Sequence, residues 1–324
     1  MPDALAALRQ LGIAVRAEDS FPFRGIRFID SGVSVGASFP AGCGLGVRRT
    51  VLHQLMIDRA AQAGVDFIWG RRVTGLYGQE VALDSHLVRS RWIIGADGQN
   101  SRIRRWAGLD DYRSESRRFG FRRHYHVAPW TDSMEIYWGT DCQIYVTPVA
   151  SQEVCVALIS RDPHSRLDHV LPSFPELSNH LDRGVPSSIE RGAVSSSCSL
   201  KKVIQGPVAL IGDASGSVDA ITGEGLSLSF KQAFALADAL ESGDLRRYQD
   251  EHRRLWRRPA FMADLMLSLD RFPRVRHRSL RALAAKPEIF AALLAAHVEA
   301  FSSAGFFFRE AVPFGWRVLT ARVA

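Results

Sequence analysis

Residues 206–240 constrain the fold of this chain more than any other stretch. An apolar run at 207–211 is typical of a buried parallel strand, and Gly212 and Asp213 then lead into a glycine-rich loop. From Gly225 onward, apolar residues recur every three or four positions (226, 230, 233, 234, 237 and 240), which predicts a long helix with its apolar face on these positions. In α/β sheets, ligands commonly bind where a strand ends in an acidic residue and a glycine-rich loop leads into a helix. Taken alone, the stretch fits an ordinary strand–helix unit equally well.

A second stretch, at 91–104, repeats this arrangement. An apolar strand ends in the sequence GADG at 95–98, and a short helix is predicted to start near Ser101 and to include Arg104. This stretch resembles the Asp-Gly motif of FAD-dependent monooxygenases and reductases, a family that includes para-hydroxybenzoate hydroxylase, geranylgeranyl reductases and flavin-dependent halogenases. Residues 212–214, with Gly223 and Gly225, resemble the Gly-Asp motif of the same family. Because the two motifs occur in the family's order and far apart, the chain is identified as a member.

The resemblance implies an α/β fold with a Rossmann-like FAD-binding domain, an antiparallel β-sheet substrate domain and a helical C-terminal tail. On this pattern the FAD-binding domain is expected at 1–116 and 192–244, the substrate-domain sheet at 117–191 and the C-terminal helical region at 245–324. The implied cofactors are FAD and, as electron donor, NAD(P)H. The residues that match the family's FAD contacts are Arg49, Asp97, Gly98, Ser101, Gly212, Asp213, Ala214, Gly223, Gly225 and Leu226.

The resemblance implies a specific role for some of these positions. Asp213 is expected to accept hydrogen bonds from the ribityl hydroxyls, and the helix that starts at Gly225 is expected to direct its N-terminus at the flavin ring. Asp97 is expected near the pyrophosphate and ribityl region of FAD, where it acts through the helix that starts at Ser101. Arg49 matches the family's flavin-contacting arginine better than Arg48 does; the alternative for either is a solvated charge. No catalytic residue is assigned.

The rest of the chain predicts further strands and helices. Helices are expected at 4–11, from Arg49 to Gly64, at 167–182, at 245–258 and at 288–301; the helix from Arg49 has its apolar face on 52, 55, 56, 60 and 63. Strands are expected at 25–30, 33–39, 65–69, in a meander over 71–89, and in an antiparallel sheet at 119–127, 134–139, 143–148 and 153–159. In that sheet, Tyr125, Trp138 and Tyr145 either line a substrate pocket or pack the sheet face, and packing is preferred for each.

Composition narrows the functional classes. The four cysteines are scattered without a Cys-x-x-Cys pair, so neither a zinc site nor a disulfide framework is predicted, and a reducing cytoplasmic setting is expected. The net charge is +7, and lysine occupies only four of the 41 basic positions. Because the arginines are spread along the chain, arginine-biased coding is preferred to nucleic-acid binding. The basic C-terminal region and the aromatic run at 305–308 leave three alternatives open, which are membrane contact, cover for a lipophilic substrate, and packing on the domain.

One departure from the family concerns the start of the chain. The family begins with a Gly-x-Gly-x-x-Gly turn and an acid about 20 residues further on, and neither is present here. We therefore expect an N-terminally truncated chain that holds FAD weakly and dissolves poorly.

Three functions stay open on the sequence. The preferred one is an FAD-dependent reductase of a carbon–carbon double bond in a hydrophobic, lipophilic or polyketide-like small molecule. The alternatives are an FAD-dependent aromatic monooxygenase and an inactive truncated remnant that acts as a binding module. Gly216 stands where hydroxylases usually have histidine, which favours the reductase, and the absence of a Trp-x-Trp-x-Ile-Pro stretch argues against a halogenase.

Overall fold

The computed structural model describes residues 1–84 and 86–298, without the side chains of residues 113–116. The helices in this range are α1 (Pro2–Gln10), α2 (Arg49–Gln62), α3 (Arg102–Trp106), α4 (Leu167–Val170), α5 (Pro175–Leu181), α6 (Gly225–Ser242), α7 (Leu245–Arg271), α8 (Pro273–Ala285) and α9 (Pro287–His297). The strands are β1 (Ser20–Phe23), β2 (Gly25–Asp30), β3 (Val33–Ser38), β4 (Gly44–Val47), β5 (Val73–Tyr77), β6 (Glu80–Leu83), β7 (His86–Arg89), β8 (Ile93–Gly95), β9 (Tyr112–His126), β10 (Ser133–Trp138), β11 (Cys142–Ala150), β12 (Glu153–Ser160), β13 (Val185–Pro186), β14 (Arg191–Leu200), β15 (Ile204–Gln205) and β16 (Val208–Leu210).

The chain packs into two units. The first contains Met1–Met56, Arg118–Val194 and the described residues from Leu265 onward; the second contains Ile57–Arg117 and Ser195–Asp264. The domain division expected from the sequence stays a prediction.

The first unit is built on a mixed sheet with the strand order β13-β9-β12-β11-β10-β2-β3, with β14 beside β9. Neighbours from β9 to β10 are antiparallel, as the sequence predicted, whereas β10 and β2 run parallel. The β2–β3 hairpin turns through Ser31 and Gly32, whose φ angles of 48° and 83° are those of the turns that fit the twist of a hairpin. On one sheet face, strand residues such as Ile144 and Leu158 pack against Leu177 of α5 in a single apolar core.

The second unit has a small sheet with the order β15-β16-β8 and a separate β5–β6–β7 meander, as predicted for 71–89. Strand β16 is antiparallel to β15 and parallel to β8. Its residues Val208 and Leu210 form a core with Leu236 of α6 and Tyr248 of α7. The Tyr248 hydroxyl is buried and donates a hydrogen bond to the Leu210 carbonyl oxygen at 2.7 Å, which fixes α7 against the strand.

Three sequence expectations are wrong. Residues 65–69 form no strand; they are exposed and pair with no other strand of the described chain, and an extended segment without a hydrogen-bonded neighbour does not make a sheet. The expected apolar face of α2 is half solvated: Leu52 is buried, while Met56 is 36% exposed.

The third error concerns the orientation of α6. Its buried positions are Ser227, Leu228, Phe230, Gln232, Leu236 and Ala239, and Phe230 alone of these belongs to the predicted set. Apolar spacing failed here because two polar residues of the helix face inward. Gln232 turns inward because the backbone of the preceding loop needs a hydrogen-bond partner. The aromatic run at 305–308 lies outside the described residues.

Candidate cofactor-binding site

The parallel pairing of β8 and β16 brings the two predicted motifs to one edge of the sheet. Ile94 lies opposite Ala209, and Gly95 lies opposite Leu210. Because parallel strands end on the same side, the loops that follow them, with Asp97 and Asp213, leave the sheet at the same edge. In open α/β sheets, ligands bind outside the carboxyl ends of the strands.

The Asp97 carboxylate caps the short helix α3. It accepts hydrogen bonds from the backbone N–H groups of Arg102 and Ile103, at 2.7 and 3.2 Å, and from the Ser101 hydroxyl at 2.5 Å. Burial acts to raise the pKa of Asp97, but the bonds from Ser101, Ile103 and Arg102 outweigh it, so the pKa lies below its usual value. Asp97 therefore orients the start of α3, and Gly98 beside it has a φ of 77° and nothing within 4 Å of the space a side chain would take.

Arg104 ties the two motifs together. Its buried guanidinium donates from Nη2 to the Gln99 carbonyl oxygen at 2.9 Å and from Nη1 to the Ala214 carbonyl oxygen at 3.2 Å. Its Nε donates to Asp110 Oδ1 at 2.8 Å. The five donors of arginine, spread in one plane, suit this bridging role.

The loop after β16 is shaped by glycines. Gly212 and Gly223 have φ angles of 59° and 66°, which residues with a Cβ rarely adopt, and no atom lies within 4 Å of the Cβ position at Gly223 or Gly225. Asp213 is exposed between them. Helix α6 begins at Gly225 with no side-chain cap, and Leu226 is half-buried in its first turn. The loop therefore combines an exposed carboxylate, open space along the backbone and a helix N-terminus.

A buried network of polar side chains forms hydrogen bonds to this loop and holds its backbone in place. Gln232 Oε1 accepts from the Gly212 N–H at 2.8 Å, and the Ser215 hydroxyl donates to the Gly212 carbonyl oxygen at 2.8 Å. His252 of α7 places its Nε2 3.0 Å from the Ser215 Oγ and stacks on Trp256. Burial, with a smaller contribution from Arg253, lowers the pKa of His252 to about 4, so its ring is neutral at neutral pH.

The sequence reading missed this support. Arg104 lies inside the motif at 91–104, but nothing in the motif assigns it two carbonyl partners. Ser215, Gln232 and His252 gave no signal, since their partners lie up to 37 residues away in the chain.

These residues fit the FAD that the sequence implies. Asp213 presents an exposed carboxylate, which can accept hydrogen bonds, and Gly98, Gly223 and Gly225 leave room for a ligand to approach the backbone. The contacts of each predicted residue with FAD stay predictions.

Arg48 and Arg49 belong to the first unit, where their environments differ. Arg48 pairs with Glu153, with Nε 3.0 Å from Oε2. Arg49 is exposed at the first position of α2. Arg48 is therefore committed to a structural ion pair, while the predicted FAD contact of Arg49 stays a prediction.

The three aromatic residues of the predicted substrate pocket are all buried. Tyr125 packs in the core of the first unit. Trp138 is 3% exposed and lines a cavity, and Tyr145 is 9% exposed.

The chain is similar in sequence to two known reductases. The chain is 26% identical over 197 residues to digeranylgeranylglycerophospholipid reductase 1 of Methanococcoides burtonii, a match that covers 55% of this chain and 48% of the relative. It is 26% identical over 292 residues to the menaquinone reductase of Mycobacterium tuberculosis, which covers 81% of this chain and 69% of the relative. In its match to the archaeal reductase, the chain spans about half the length of that relative.

Solved structures share the fold. A flavoprotein/dehydrogenase from Cytophaga hutchinsonii superposes with a TM-score of 0.82 at 16% identity, over 98% of this chain and 88% of that chain. A flavin-dependent brominase superposes with a TM-score of 0.69 at 17% identity, over 97% of this chain and 88% of that chain. A family model described as an FAD binding domain matches residues 30–243. That match takes in both motifs and more than half of the 324 residues, and the chain therefore belongs to the FAD binding domain family.

Proposed function

We propose that this protein is an FAD-dependent oxidoreductase that reduces a carbon–carbon double bond in a lipophilic or polyketide-like molecule, with NAD(P)H as the electron donor. The observation that carries the proposal is the joined pair of motifs at one sheet edge, where Arg104 bonds the carbonyl oxygens of Gln99 and Ala214. The similarity to two reductases, one of a digeranylgeranylglycerophospholipid and one of menaquinone, supports a hydrophobic substrate.

In this function, the residues of the two motifs bind and orient the flavin. When bound, FAD supplies two-electron transfer between a nicotinamide and an alkene. Asp213 accepts hydrogen bonds from the ribityl hydroxyls, and the N-terminus of α6 stabilises negative charge on the flavin by about 0.3–1 kcal/mol, or up to ~2 kcal/mol when partly buried. Asp97 and Arg104 hold α3 and the two loops in position.

Oxygen dependence tests the reaction type. The protein, reconstituted with FAD, is mixed with NADPH or NADH and a geranylgeranyl lipid or menaquinone under argon, and the reduced product is measured by mass spectrometry. Anaerobic turnover is expected. Turnover that requires oxygen and adds an oxygen atom to the product would instead identify a monooxygenase. A colourless protein that binds lipid but takes up no FAD would support the binding-module alternative.

We also propose that residues 271–275 of the first unit contact an anionic membrane surface, from which a lipophilic substrate is taken. Arg271, Phe272, Arg274 and Val275 are all exposed, Phe272 by 52%, and the Arg271 guanidinium lies 5.7 Å from the Phe272 ring centroid. Basic and aromatic side chains together favour the interface of an anionic bilayer. No described helix is long and apolar enough to cross a membrane.

Vesicle sedimentation tests this contact. Binding to phosphatidylglycerol vesicles is expected, with weak binding to phosphatidylcholine and a loss in Phe272→Ser. Equal binding of both lipids, or no effect of the substitution, contradicts the proposed surface. Arg71→Ser, an exposed arginine of the second unit, serves as the control.

A further inference from the structure

A cleft of about 530 Å³ lies in the first unit, between helix α1, the segment that follows it at 13–15, and residues 41–45, which lead into β4. Its volume lies in the usual range for small-molecule sites, about 300–1,000 Å³. The apolar side chains of Leu5, Leu8, Ile13, Val15 and Leu45 form much of its wall. None of these residues belongs to the flavin site described above.

The wall of this cleft is only partly covered by the protein itself. Leu8 and Ile13 are buried, at 4% and 7% exposure, whereas Leu5 and Leu45 are half-buried. Apolar surface that remains in contact with water favours a ligand that is itself apolar and displaces the water. Among the described lining residues, the only uncharged polar side chain is the Cys43 thiol, which packs like a small apolar group. Hydrocarbon is therefore the chemistry that matches these walls.

A single charge accompanies this apolar wall. Of the described residues that line the cleft, only Arg9, in the last turn of α1, is charged. Arg9 is exposed, and its guanidinium forms no hydrogen bond or ion pair with another residue in the described part of the chain. A guanidinium presents two parallel N–H donors that match the two oxygens of a carboxylate. The lining therefore favours an apolar chain that ends in a carboxylate.

We propose that this cleft binds a fatty acid, with the hydrocarbon chain against Leu5, Leu8 and Ile13 and the carboxylate on Arg9. The charge of Arg9 favours this ligand over a neutral chain. One arginine balances the single negative charge of a carboxylate but only part of the charge of a phosphate monoester, which is about −1.5 to −2 at neutral pH. The site goes beyond the proposed redox function, because the fatty acid is bound here as a ligand and takes part in no electron transfer.

Displacement of cis-parinaric acid from the full chain tests the proposal, with laurate, 1-dodecanol and octanoate as probes below their micelle concentrations. Saturable binding of laurate is expected. Laurate is expected to bind about fivefold or more tightly than dodecanol, which has the same chain but no charge. It is expected to bind about tenfold or more tightly than octanoate, because the longer chain removes more apolar surface from water.

Two exposed positions of the lining separate the charge from the chain. Arg9→Gln is expected to weaken laurate binding about fivefold or more and to leave dodecanol binding unchanged; Arg183→Gln, at an exposed arginine of the first unit, is the matched control. Ala14→Phe places a ring in the cleft and is expected to weaken the binding of both probes about tenfold or more. Ala6→Phe, exposed on α1 outside the lining, is its control and leaves both unchanged.

The Cys43 thiol reports where the ligand lies. It is half-buried on the cleft wall, so laurate is expected to slow its alkylation by N-ethylmaleimide about fivefold or more, as measured by mass spectrometry. Cys155, which is also half-buried but lies outside this lining, is expected to keep its rate. Phe272→Ser is expected to leave both the affinity for laurate and the protection of Cys43 unchanged, which separates this site from the proposed membrane contact.

Several results overturn the proposal. Absence of saturable laurate binding removes the site, and dodecanol binding as tight as that of laurate removes the role of Arg9. Tighter binding of farnesyl phosphate than of laurate makes the cleft a phosphate site instead. Laurate binding that persists in Ala14→Phe, or that leaves the alkylation of Cys43 unchanged, places the lipid elsewhere. Slow alkylation of Cys43 without lipid shows the cleft already covered, by a second copy if dilution speeds the reaction and by the chain itself if it does not.

Discussion

His252→Gln tests whether a neutral buried imidazole supports the loop at 212–216. The ring is 6% exposed, lies 3.0 Å from the Ser215 hydroxyl and has a pKa lowered to about 4, chiefly by burial. In the unfolded chain a histidine has a pKa near 6.5. Between these values the unfolded state binds more protons than the folded state, so stability falls as the pH falls from about 6.5 to about 4.

The size of this effect follows from the same values. A pKa lowered from 6.5 to about 4 corresponds to about 3 kcal/mol over the whole range, at about 1.4 kcal/mol per pKa unit. Between pH 7 and pH 5, proton linkage gives a loss of about 2 kcal/mol in the free energy of unfolding. Glutamine does not titrate and retains a donor for Ser215, so the variant is expected to lack this part of the pH dependence.

Urea unfolding of wild type and His252→Gln at pH 7 and pH 5, followed by tryptophan fluorescence, measures the difference. His53→Gln, at an exposed position of α2, is the control and is expected to behave as wild type. If wild type and His252→Gln lose the same stability between the two pH values, His252 is not held neutral by burial and the reasoning fails. An NMR titration in which His252 titrates near pH 6.5 would contradict it directly.

Other predictions concern the motif residues. Asp213→Ala is expected to weaken FAD binding tenfold or more by fluorescence titration, because a charge-assisted hydrogen bond of about 1.5–3 kcal/mol is lost; equal occupancy in the variant and in the control Asp238→Ala, at an exposed position, would refute the assignment. Asp97→Ala is expected to cost about 1 kcal/mol of unfolding free energy at neutral pH. Since the pKa of Asp97 is lowered in the fold, this difference is expected to shrink as the pH falls below about 4; a cost unchanged between pH 7 and pH 3 argues against the cap. Arg104→Met is expected to cost about 3 kcal/mol or more in urea unfolding, because it leaves buried carbonyl oxygens unpaired, and a surface-like cost below 0.5 kcal/mol contradicts the bridge. Tyr145→Ala is expected to alter substrate binding more than the flavin spectrum, whereas a change confined to melting temperature would favour simple packing.

The sequence by itself determined the family and the order of the elements. The apolar runs before Asp97 and Asp213 form the strands β8 and β16, and the sheet at 119–159 has the antiparallel neighbours that alternation predicted. These features are local, because a strand's period and a glycine's positive φ depend on residues close in the chain.

Only the tertiary structure decided what holds the two motifs in place. The apolar spacing of α6 predicted the buried face correctly only at Phe230, and Gln232 turns inward to satisfy the Gly212 N–H. The bond from Arg104 to the Ala214 carbonyl oxygen spans 110 positions, and the approach of His252 to Ser215 spans 37. The segment at 65–69 has strand-like composition, yet it forms no strand because a strand requires a neighbour in space. Hydrogen-bond partners far apart in the chain carry no mark in a single sequence, so their pairing emerges only once the sheet and its helices have packed.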